Sequence, residues 1–69
     1  MNINGKLHAI EQCNINLQIV NTIRYHLEQL NPSDKERFYH LTSEIMMKID
    51  ELGCDEIQLR DAYFAELTR

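Results

Sequence analysis

The chain has 69 residues, a formal net charge of −4 and 43% hydrophobic residues. That length allows one small domain, 1–69, whose single apolar core leaves only about 3–5 kcal/mol of stability unless something staples it. The acid excess repels phosphate backbones and membrane surfaces, so a nucleic acid or a membrane is not the expected partner and another protein is.

Two cysteines, Cys13 and Cys54, permit at most one disulfide, and neither has neighbours at a zinc-site spacing. No metal and no cofactor is expected. Self-association remains as the staple, so the chain is expected to be a homodimer. The first ten residues, MNINGKLHAI, have neither a basic start nor an export-length apolar stretch, and no apolar run approaches the ~18 residues of a membrane span. These features point to the cytoplasm. Thiols stay reduced there, and both cysteines are expected as small buried apolar groups.

The first predicted element is a helix over about 7–30. Leu7, Ile10, Cys13, Leu17, Val20, Ile23, Leu27 and Leu30 recur at spacings of three and four, a seam suited to packing on another helix. Ile15 and Ile19 do not fit that seam and lie nearly opposite Leu17. The same stretch, CNINLQIV, also alternates with period two, as a half-buried strand does. Helix and strand are both open at Cys13–Val20 on the sequence.

A turn is expected at Asn31 and Pro32, because proline cannot continue a helix and pushes the preceding residue toward extended geometry. Ser33 with Glu36 has the spacing of a capping box, opening a second helix over 33–52. Phe38, Leu41, Ile45, Ile49 and Leu52 form its apolar stripe. Gly53 follows where a helix end needs a residue tolerant of positive φ. A third helix is expected over 55–67, capped by Asp55 and carrying Ile57, Leu59, Tyr63, Phe64 and Leu67. The expected fold is therefore all-α: an antiparallel helical hairpin plus a short third helix, dimerising into a small bundle.

The alternating stretch, followed by a short helix with Ile23, Leu27 and Leu30 inward, a turn and a longer helix opening at Ser33, resembles the ribbon-helix-helix repressors from Asn14 to Leu52. The resemblance implies a DNA-binding transcriptional regulator in which two chains pair a strand at about 14–19. Asn14, Asn16 and Gln18 would then face the bases, where amide side chains can pair with adenine. Cys13–Asn21 contains no Lys or Arg, so phosphate attraction is missing locally as well as globally. A second DNA-binding arrangement, a helix-turn-helix over Ile45–Phe64 turning at Gly53, would have a recognition helix from Asp55 that sets Asp55, Glu56 and Asp61 against phosphates with Arg60 as its single cation.

Catalytic patterns are weaker still. His8, His26 and His40 are far apart, and none has a second histidine or a cysteine at i+4. No catalytic residue is assigned, and the chain is read as a non-enzyme. Surface chemistry is more informative: Ile15 and Ile19 lie one turn apart outside the seam, with Tyr25 also outside it and Met47 opposite the second helix's stripe. Ile15, Ile19, Tyr25 and Met47 are the expected dimer or partner contacts. A small acidic adaptor or inhibitor of a larger protein is the expected function.

Overall fold

In the computed structural model, which describes residues 2–68, two long helices lie antiparallel in a rod of 51 × 14 × 14 Å. Helix α1 spans Ile3–Glu28, the short α2 spans Pro32–Arg37 and α3 spans Tyr39–Leu67. The all-α class and the hairpin are as expected; the boundaries differ in instructive ways.

Helix α1 starts four residues earlier than its apolar seam. Asn2 has extended backbone geometry, and its side-chain oxygen accepts from the Gly5 amide at 2.7 Å, satisfying one of the unpaired N–H groups of a helix start. This cap lets the helix run through Gly5. It continues without a break through Cys13–Val20, so the strand alternative is corrected: the period-two pattern there lies on a helix. A lone strand would have left its backbone groups unpaired, whereas the helix satisfies them internally.

The turn falls where proline requires it, but the cap is Asn31 rather than Ser33. The Asn31 side-chain oxygen accepts from the Asp34 amide at 2.9 Å, and Pro32 occupies the first turn, where its missing N–H costs nothing. After one and a half turns the backbone leaves helical geometry at Phe38, with φ −108° and ψ 23°, and α3 begins at Tyr39.

Gly53 does not stop the helix. It lies inside α3, which is 29 residues long and absorbs both the 33–52 helix beyond Phe38 and the separate 55–67 helix expected from the sequence. Asp55 therefore caps nothing, and the helix-turn-helix over Ile45–Phe64 has no turn. Tertiary packing is the reason. A broken α3 would leave half of α1 without a partner, and that loss exceeds the roughly 1 kcal/mol by which glycine disfavours a helix interior.

The core is a thin seam. Ile10, Cys13 and Val20 of α1 and Ile49 of α3 are its buried apolar side chains among the described residues, with Gly53 buried opposite Val20. The sequence expected a wider core. Leu7, Ile23, Phe38, Leu41 and Leu52 are instead exposed, because two helices alone cover only the strip of each that faces the other. Cys54 is another correction: it is exposed, and only Cys13 is the small buried group expected of both.

Candidate interaction surface

Polar groups fix the register of the hairpin. The Lys6 ammonium lies 3.5 Å from Glu66, and Arg24 pairs with Asp50. In each the carboxylate is exposed and the cation half-buried, so each contributes little energy, but together they join both halves of α1 to complementary points on α3. Between them Arg60 donates through Nη1 to the Asn14 side-chain oxygen at 3.0 Å, and the Asn16 amide donates to Glu56 at 3.3 Å.

This layer surrounds Cys13, which is 3% exposed. Burial pushes its thiol pKa up, and the neighbouring Glu56 carboxylate pushes it further as a hydrogen-bond acceptor and as a negative charge. The Arg60 guanidinium offsets this in part. Burial and Glu56 thus both favour the protonated thiol. Arg60 Nε is itself buried without a hydrogen-bond partner, with the Asp61 carboxylate 3.9 Å away. An off-centre polar layer of this kind penalises slippage of one helix along the other.

The three amides of the DNA-binding alternative do not share a face. Successive positions two apart on a helix lie nearly opposite one another, so Asn14 and Asn16 project to the two sides of the seam and are held there by Arg60 and Glu56. Gln18 is exposed. A ribbon face of Asn14, Asn16 and Gln18 is absent among the described residues because the segment carrying it is helical.

The four interface residues expected from the sequence are all exposed: Ile15 at 43%, Ile19 at 53%, Tyr25 at 58% and Met47 at 73%. They do not form one patch. Ile15 and Ile19 project from the same side of α1, and Ile19 lines a shallow groove of about 280 Å³ with Ile23, Ile49, Leu52 and the Asn16–Glu56 pair. Tyr25 and Met47 lie outside that groove, Tyr25 with its ring edge-on to His26 at 5.6 Å between centroids.

Ile23 and Leu52 belong to this surface although the sequence placed them in the core. Their spacing was compatible with either role, and only the narrowness of a two-helix seam separates the two. A second groove on the other flank, about 370 Å³, is lined by Leu17, Val20, Gly53 and Ile57 and crossed by the Arg24–Asp50 pair. A third recess near the turn, between Leu27, Lys35, Tyr39 and Met46, measures about 440 Å³.

No group of three or more His, Cys, Asp or Glu side chains among the described residues could hold a metal ion, and no helix is long and apolar enough to cross a membrane. What the surface offers chemically is apolar area beside carboxylates, suited to contact with other polypeptides. No protein-family model, no curated protein and no solved structure matches this chain.

Proposed function

We propose that the chain is a small acidic protein–protein interaction module, an adaptor or inhibitor of a larger protein, working in the cytoplasm as a homodimer. One observation carries this reading. Among the described residues four apolar side chains are buried, while fourteen large hydrophobic ones are exposed. A seam of four buried groups is a weak basis for a folded monomer, and exposed apolar groups concentrated on helix flanks are what a helical partner covers. The module assigns no catalytic step to any residue. It acts by occupying a surface.

The test compares the wild-type chain with Ile15→Glu/Ile19→Glu and with Ile57→Glu/Phe64→Glu as baits in extracts of cells that express it. Any protein lost from one of the variants is then purified and titrated against the chain. A reconstituted complex that needs either flank supports the module. Sequence-specific binding to duplex DNA that weakens in Asn16→Ala, with no protein complex, overturns it in favour of a transcriptional regulator.

A further inference from the structure

The exposed side of α1 carries a second seam. His8, Gln12, Ile15, Ile19, Thr22 and His26 recur at spacings of 4, 3, 4, 3 and 4, the repeat by which one helix packs along another. The first seam, through Ile10, Cys13, Leu17 and Val20, is already occupied by α3. The second has no partner within the hairpin, and Ile15 and Ile19 at its centre are exposed.

Charge identifies what can cover it. Within α1 Lys6 and Arg24 balance Glu11 and Glu28, whereas α3 carries seven acidic residues against Lys48 and Arg60, a net −5. Helix α3 thus accounts for the acidity of the chain. In α1 the twelve consecutive residues Gln12–Ile23 contain no charged side chain and no histidine. A basic partner would seek the carboxylates of α3. A second copy of this acidic chain meets repulsion along α3, while α2 is balanced but densely charged through Asp34, Lys35, Glu36 and Arg37; the uncharged run of α1 remains, and depletion of charge at the centre of a contact is the compositional mark of an interface core.

From these observations we infer that the outer face of α1 is the site at which a second copy of this chain docks, the two α1 helices running antiparallel about a twofold axis through Ile19. This rests on the interaction-module reading and names the occupant of one of its surfaces. In that register Ile19 meets its own counterpart, Ile15 of each copy lies opposite Ile23 of the other, and Gln12 lies opposite His26. The contact is self-complementary, as a twofold interface must be. The groove between Ile19, Ile23, Ile49 and Leu52 lies alongside that axis and receives the incoming isoleucines. In that groove the incoming isoleucines meet Ile49 and Leu52 of α3 beside the Asn16–Glu56 pair, the other carboxylates of α3 stay outside the contact, and a four-helix assembly results.

The experiment uses the full chain. Sedimentation equilibrium gives the mass, and Ile19→Cys in a Cys54→Ser background is treated with a mild copper oxidant beside a Met47→Cys control in the same background. Buried Cys13 takes no part. The expected result is a dimer at micromolar concentration that forms a covalent dimer through Cys at position 19 and not through Cys at position 47. Ile19→Glu is expected to weaken dimerisation roughly a hundredfold while keeping its helical circular dichroism at a concentration where the wild type is monomeric. A wild-type monomer at about 100 micromolar, or a dimer linked through position 47 and not 19, overturns the inference. A monomer that still binds a purified foreign protein through Ile19 also overturns it and leaves the module standing. A dimer linked through position 19 for which no foreign partner is reconstituted supports it and removes the adaptor role.

Discussion

The two sides of α1 are written in nearly the same residue types and do different things. On the inner side Ile10, Cys13 and Val20 are buried against α3; on the outer side Ile15 and Ile19, equally apolar, face solvent. Hydrophobicity does not separate them. What does is whether a second helix runs alongside, which for the inner side is settled by the turn at Asn31–Pro32 and the length of α3. An apolar side chain in a two-helix protein is thus core or interface according to its angle about the helix axis.

The contrast can be broken most forcefully from the inner side. Ile49 is 5% exposed and has no redundancy in so thin a seam. Ile49→Ala is expected to cost about 2–5 kcal/mol, comparable to the whole stability of so small a domain, and to abolish the helical circular dichroism at room temperature. Retention of a cooperative melt within a few degrees of wild type would show that the seam is not the core.

A smaller effect of opposite sign is expected at Gly53. A Cβ built there lies 3.6 Å from Val20 Cγ1, an ordinary contact, and Gly53 does not adopt positive φ. Gly53→Ala should therefore stabilise the hairpin by roughly 1 kcal/mol through helix propensity alone, read as a higher thermal midpoint. A lower midpoint would mean that the helices approach more closely at Gly53 than this geometry allows.

Cys13 sharpens the comparison through pH. Its folded-state pKa is raised above the ordinary 9.0, so above that pH the unfolded chain releases a proton that the folded chain retains. Its stabilising contribution is complete below about pH 9 and declines as pH rises through the raised folded value. Stability should fall more steeply on the alkaline side in the wild type than in Cys13→Ala. Identical slopes would place the thiol in water.

The smallest effect is expected on the far side of α3. Met47, 73% exposed and outside every groove described above, should tolerate Met47→Glu within about 0.5 kcal/mol. The same change in charge at Ile15, on the outer face of α1, should preserve monomer helicity and weaken self-association. If Met47→Glu and Ile15→Glu behave alike in sedimentation, the distinction between an interface residue and an isolated exposed one is lost.

Much of the fold was legible before any coordinates. The seam through Ile10, Cys13 and Val20, the turn at Asn31–Pro32 and the exposure of Ile15, Ile19, Tyr25 and Met47 follow from spacing and proline chemistry, which act within a few residues of chain. At Gly53 local propensity favours ending a helix, and packing against α1 outweighs it. The amides at Asn14 and Asn16 fit a ribbon face in the alternative reading because Cys13–Val20 also alternates with period two. Their role in pairing with Arg60 and Glu56 depends on groups 46 and 40 residues away. The same limit applied to Ile23 and Leu52, periodic enough for the core yet left at its edge by a fold with only two layers. Sequence by itself determined the helices' apolar stripes and the turn between the hairpin arms, because backbone sterics and periodicity are local. Tertiary structure alone decided that α3 runs unbroken through Gly53 and how narrow the buried strip is, because burial is a property of the pair of helices and not of either one.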